Sequence, residues 1–472
     1  MNEHMIATLA SLALLLSPGQ TELTIYNQGF GVVKELRQLK LKEGVQTIEV
    51  TDVASMIDPT SVGFRSITDA HSFTVLEQNY QYDLINPQAI LNKSVGQKIR
   101  FIRTLGNMKD VLEGTLLSAP TSVVARPEGG SESTYNGMVI RTDDNRIVLD
   151  PTGEVEVNTV PAGLISRPTL LWSVDSAKAG ENSVELSYIT QGLSWNADYV
   201  VTIDGLGKGD LQGWVTVNNQ SGATWENAKL KLLAGDVNTV RATRPEATFG
   251  LHRDRTLNGV NRLKEEMLFE YHLYTLERPA TVANKQTKQL SLLEGHDIPI
   301  RKKLFVDSIA GRYYPGEGEI GTGDVKPQVR LEFVNDKESG LGMPLPKGKM
   351  RIYQRDKSGS VQLLGEDQID HTPRNEKVSV VVGRSFDVVS TRKRTKFTRL
   401  SDQSVSESFS IELRNRKEEA ETVNVLERHY GDWTVQSHSQ EFKKLDSESM
   451  EFVVILKPNE VKTVRYTVET RW

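Results

Sequence analysis

Of the eight histidines and 62 acidic residues, two histidines and two aspartates are the first to weigh for acid–base or metal chemistry. His272 lies in Phe269-Glu270-Tyr271-His272-Leu273-Tyr274, on the polar face beside Glu270, and His371 lies in Asp370-His371-Thr372-Pro373. Imidazole and carboxylate are common ligands of zinc and related metals, but a site needs three of them converging in space. Asp198 and Asp236 are the carboxylates weighed with the pair. Three of the four within about 5 Å of one point would make a metal site the leading interpretation. Their spacing in the chain permits that and does not argue for it. The expectation is therefore surface or hydrogen-bonded histidines, with no catalytic residue, no metal and no cofactor. HExxH, GxSxG and Walker patterns do not occur. Gly316-Glu317-Gly318-Glu319-Ile320-Gly321 has dinucleotide-loop spacing, but no helix follows and its glutamates would repel a pyrophosphate.

Trp195, Asp198, Trp214 and Trp225 surround one set of turns. Exposed rings beside carboxylates suit sugars, because a ring stacks on C–H faces while carboxylates take hydroxyls. Core packing explains tryptophans in a sandwich equally well. The basic run Arg392-Lys393-Arg394-Thr395-Lys396 is expected to be a solvated strand, guarded by its charge against edge pairing.

The elements that must position these residues are strands. In Tyr199-Val200-Val201-Thr202-Ile203, residues 199, 201 and 203 share a face of a β-branched and aromatic run. Asp204-Gly205 opens a turn, Trp214 to Val217 returns, and Asn218 to Gly222 turns again. Lys229-Leu230-Lys231-Leu232 alternates charged and apolar side chains, the pattern of a strand with one wet face. An antiparallel meander follows. The same period recurs over almost the whole chain, so the fold class is all-β, a multi-domain array of antiparallel sandwiches and a small barrel.

At 472 residues the chain is too long for one core. The expected units are residues 20–86, a small β domain; 87–168, barrel-like; 169–386, a central sandwich; and 387–472, an immunoglobulin-like sandwich without a disulfide. Residues 241–267 interrupt the pattern and are expected to be a disordered insertion, with one or two helical turns over 263–269. With 57 basic and 62 acidic residues the net charge is −5, which argues against nucleic-acid binding. No cysteine is present, so disulfides, thiolate sites and a lipoprotein anchor are excluded. Met5 to Ser17 is an uncharged apolar run too short to span a bilayer. Small residues at 17 and 19 place a signal-peptide cleavage before Gln20, although Met1 to His4 carries no Lys or Arg. Export is expected, with no membrane-spanning segment in the mature chain.

Several phrases carry a resemblance. Gly192-Leu193-Ser194-Trp195-Asn196-Ala197-Asp198-Tyr199, Ala234-Gly235-Asp236-Val237-Asn238, Gly340-Leu341-Gly342-Met343-Pro344-Leu345-Pro346, Asp370-His371-Thr372-Pro373 and the terminal Arg471-Trp472 together resemble the uncharacterised bacterial domain family shared with mucoidy-inhibitor-like proteins. The likeness spans about Leu23 to Trp472. Longer relatives carry a coiled coil ahead of this region. No heptad run occurs here, so this sequence resembles the shorter exported form. The resemblance implies an all-β body and brings no catalytic residues. The function expected is a non-enzymatic envelope module that binds or scaffolds a protein or polysaccharide partner, through candidates Trp195, Asp198, Asp236, His272 and His371. The alternatives are a metal-dependent or carboxylate-based hydrolase of envelope polysaccharide, and a structural protein with a large apolar face between chains. Oligomeric state is left open.

Overall fold

The computed structural model describes residues 20–105, 108–125, 131–135, 137–238, 263–307 and 322–472. Of the described residues 65% are in strands and 3% in helix, in several separate sheets. Period-two alternation is the reason. Along Leu193–Ile203 the odd positions Leu193, Trp195, Ala197, Tyr199 and Val201 are buried, and the even ones face outward.

Sheets are assembled from distant strands. An eight-stranded sheet runs in the order Leu263–Leu268, Tyr271–Leu276, Trp225–Ala234, Thr21–Tyr26, Phe30–Leu41, Gly180–Gln191 and Gly63–Ser66, with Ala280–Val282 beside the third. It packs on a five-stranded sheet ordered Gln286–Pro299, Lys208–Asn219, Leu193–Ile203, Gly348–Arg355 and Val361–Ile369. Their shared core extends in sequence from Leu23 to Val380. Residue 86 is therefore no boundary of this body. Thr21–Tyr26 lies parallel to Trp225–Ala234, and Thr169–Ser176 is sandwiched between Gly44–Thr51 and Phe73–Gln81.

Residues 98–156 stand apart as a five-stranded sheet over their own core of Ile99, Phe101, Leu112, Leu116, Met138 and Ile140. The helix Pro87–Lys93, capped by Asn86, leads into it. Ser131–Tyr135 is a strand paired with Thr121–Ala125.

The C-terminal sandwich also reaches back beyond 387. Arg301–Asp307, Gln328–Val334 and Lys377–Arg384 join Glu421–Arg428, Ser449–Leu456 and Phe442–Lys444 in one six-stranded sheet. Leu331, Phe333, Val378 and Val380 of that sheet belong to the central core, while Leu304 and Val306 belong to the C-terminal one. One sheet thus ties the two bodies together.

Two expectations are corrected here. Leu263–Leu268 is a strand, because it pairs residue for residue with Tyr271–Leu276; packing overrides the helical preference of Lys-Glu-Glu-Met-Leu. Residues 239–262 lie outside the described residues, as do the segments 1–19 and 316–321. The basic run is a solvated strand at Lys393, Thr395 and Lys396, as expected, but not at Arg392. It lies in Val388–Ser401, the second strand of its sheet, and alternation turns Arg392 inward to zero exposure. There its Nε and Nη2 donate to Glu427 at 2.8 to 3.1 Å, its guanidinium lies 4.0 Å from the Phe409 ring centroid, and the Tyr466 hydroxyl donates to the same carboxylate at 2.5 Å. Arg394 pairs similarly with the buried Glu407 at 2.8 Å.

Removing one partner of a buried pair strands the other charge. Glu427→Gln is expected to destabilise by about 3–5 kcal/mol in chemical denaturation, more than the double variant Arg392→Met/Glu427→Leu. His429 adds a pH dependence. It is 3% exposed, among Phe409, Trp433 and Tyr466, and neither ring nitrogen has a hydrogen-bond partner among the described residues. Burial lowers its pKa to about 4, with Glu427 opposing and Arg392 reinforcing the shift. The unfolded chain takes up the proton first, so stability falls as pH drops from about 6.5 towards 4. His429→Phe is expected to remove about 3 kcal/mol of that loss, read as a difference in denaturation midpoints between pH 7 and pH 4.

Candidate functional site

Four of the five phrases that carry the resemblance meet at one end of the central sandwich. The strand Leu193–Ile203 turns Trp195 and Tyr199 inward. Trp195 Nε1 donates to the Leu233 carbonyl at 3.3 Å, and its ring lies edge-on to Tyr274 with centroids 6.3 Å apart. Tyr199 donates to the Pro346 carbonyl at 2.8 Å, and Tyr274, from the facing sheet, donates to Pro344 at 2.9 Å. Burial pushes both phenols well above their usual range, so both stay protonated and donating. The loop Gly342–Gly348 is thus held by a hydroxyl from each sheet.

Asn335 fixes the same loop from the side. It is fully buried, its Nδ2 donates to Met343 at 2.8 Å and Pro373 at 3.0 Å, and its Oδ1 accepts from the Gly342 amide at 3.2 Å. Leu345 and Thr372 exchange backbone hydrogen bonds of 2.8 and 2.9 Å. These bonds zip the loop to the segment that carries His371.

The ionisable groups stand on this platform. His371 is exposed, and its Nδ1 accepts from the Lys347 amide at 3.1 Å, which leaves the proton of the neutral ring on Nε2. Partial burial lowers its pKa; Asp236 and Asp370 oppose that, while Lys347 and His272 reinforce it. Asp236 and His272 are therefore its electrostatic neighbours. His272 Nδ1 is 2.9 Å from Glu265 Oε1, and the other oxygen of Glu265 pairs with Arg374. A cleft of about 390 Å³ opens alongside, lined by Leu263, Ser291 to Glu294 and Gly340 to Met343. Leu263 lies two residues from Glu265 on the same strand face.

The structure brings His272, His371 and Asp236 into one neighbourhood and leaves Asp198 out. Asp198 faces the opposite side of its sheet, where Asn196, Thr216 and Arg351 donate to it at 2.9, 3.2 and 3.4 Å. Among the described residues, no group of three His, Asp or Glu side chains is placed to hold a metal. Trp195 and Trp225 are each 3% exposed and belong to the core, which removes them as stacking surfaces. Trp214 is half-buried on the outer face, opposite Asp198 in register. Glu265, Arg374, Asn335 and Tyr274 carry no signal in the sequence that singles them out. A two-residue turn at Phe269-Glu270 was the available signal for the Glu265 strand, and it was masked because glycine is absent there.

Fold and site together define a multi-sheet, all-β protein with a histidine–carboxylate rim at one end of its central sandwich. No protein-family model matches the chain, and no curated protein is significantly similar to it.

Asn335→Ala removes four side-chain hydrogen bonds and leaves the part-buried Met343, Thr372 and Pro373 carbonyls and the Gly342 amide without that partner. The expected cost is about 2–4 kcal/mol in denaturation. Faster hydrogen exchange should accompany it at the Gly342 and Leu345 amides, with little change at Val215.

Proposed function

We propose that the chain is an exported, non-enzymatic binding module of the bacterial envelope, related to the domain family that its phrases resemble. Its recognition surface is the rim of Asp236, His272 and His371. The observation that carries this is the convergence of phrases spread from Gly192 to Pro373 onto one end of one sandwich. The hydrogen bonds there rigidify the loops and leave the exposed groups Asp236, His371 and Asp370 facing outward. A surface held in advance loses little entropy on binding. Against hydrolysis stands the commitment of Glu265, the least exposed carboxylate of the rim, to both His272 and Arg374. The C-terminal sandwich, two sheets over one core, is read as the immunoglobulin-like module.

The full chain, expressed with a C-terminal tag in a bacterium, is expected outside the cytoplasm and shortened by residues 1–19 in its intact mass. Incubated with isolated bacterial envelopes, it is expected to be retained saturably and to release no new reducing ends. Asp236→Asn/His371→Ala should lower retention with unchanged thermal unfolding. An intact N-terminus in the cytoplasm, or the appearance of reducing ends, would overturn the proposal.

A further inference from the structure

The hairpin beside the rim carries a side chain where its backbone calls for none. Leu268 pairs with Tyr271, so Phe269 and Glu270 form a two-residue hairpin loop. Phe269 has φ of 58°, while Glu270 is not in the left-handed region. A two-residue hairpin with positive φ at its first central position is the setting in which glycine is preferred. A bulky residue there is strained. Nothing in the fold compensates, because the Phe269 ring is 81% exposed.

The surroundings are of one kind. The Phe269 ring centroid lies 6.4 Å from that of Tyr271, which packs on Gly235; a Cβ at Gly235 would sit 2.4 Å from the Tyr271 ring. That glycine places Asp236 immediately past the strand paired with Tyr271–Leu276. His371, an electrostatic neighbour of Asp236, offers its Nε2–H. An exposed ring and a half-buried one therefore stand beside a carboxylate acceptor and an imidazole donor.

We infer that Phe269 and Tyr271, with Asp236 and His371, form a polysaccharide-binding platform for a sugar chain without acidic groups. Rings stack on the C–H faces of a pyranose. Asp236 accepts from its hydroxyls, and His371 donates to them. The absence of acid on the ligand follows from charge: Asp236, Glu266 and Glu270 are exposed, have no ion-pair partner among the described residues, and outnumber Lys264, which is exposed on the same strand face as Glu266. That local excess repels polyuronates and anionic lipid alike. This assignment rests on the binding-module proposal and names the ligand class for the same rim.

The test uses the full chain and three hexamers, of glucose, N-acetylglucosamine and glucosamine, with a polyuronate hexamer as the acidic comparison, in titration calorimetry. At least one non-acidic hexamer is expected to bind with Kd below about 1 mM, and the polyuronate about tenfold more weakly or not at all. Phe269→Gly is the decisive variant, because it relieves the strain while deleting the ring. It should unfold at the same or a higher temperature and bind about tenfold more weakly. Phe269→Tyr should bind within about twofold of the parent, and Asp236→Asn should bind more weakly. A destabilised Phe269→Gly, parent-like binding by it, or no binding of any non-acidic hexamer overturns the platform. If envelope retention survives such a failure, the binding-module proposal stands and only the ligand class falls; if retention is absent too, both fall.

Discussion

No sheet of the central body can be completed from consecutive residues, and the rest of the structure follows from that constraint. Leu193–Ile203 gains its second neighbour only when Gly348–Arg355 arrives parallel to it. Thr21–Tyr26 waits in the same way for Trp225–Ala234, and Arg301–Asp307 for Glu421–Arg428. Parallel pairs need long crossovers, so the closure entropy is spent before the contacts form. The gain is a single apolar core under both sheets, which no fragment ending near residue 86 or beginning near residue 169 possesses.

Strands brought together over such distances must also end in order, and buried asparagine does this in three places. Asn219, Asn335 and Asn415 are fully buried. Asn219 donates to Ala223 and Val282, Asn335 to Met343 and Pro373, and Asn415 to Glu419 and Lys457. Each also accepts from a backbone amide a few residues on, at Ser221, Gly342 and Lys417. One side chain thus satisfies carbonyls on two segments and an amide on its own, at points where no ladder continues. The rim is the version of this device that borders solvent.

Local pattern was legible in the sequence, and long-range partnership was not. Tyr199 to Ile203 and Phe409 to Leu413 announce strands by alternation alone, and both are strands. The same alternation could not say that Arg392 and Arg394 point inward, since that depends on Glu427 and Glu407, supplied by other strands. It likewise could not place Trp195 and Trp225 in the core, since one ring looks the same in a sequence whether a second sheet covers it or not. At the candidate site the histidines and Asp236 were visible as residue types. Their meeting was not, because it depends on the zip between Leu345 and Thr372 and on the hairpin at Phe269-Glu270. That hairpin lacks the glycine by which such turns are recognised, so the sequence of its first strand reads as helix.

The two histidine environments separate the work of the two bodies. His429 is enclosed by aromatic rings, with a depressed pKa and ring nitrogens that have no hydrogen-bond partner among the described residues, beside an ion pair that water does not reach. Protonating it would bring a charge into a low-dielectric core, a cost that Arg392 adds to and Glu427 offsets in part, so neutrality there favours folding. His371 is also kept towards the neutral form, but its Nδ1 is occupied by a backbone amide and its other nitrogen is at the surface. The first imidazole is buried at a cost to acid stability, whereas the second is held in one tautomer with its donor outward. Only an imidazole of the second kind can meet a ligand, and it stands at the end of the central sandwich and not in the polar core of the C-terminal one.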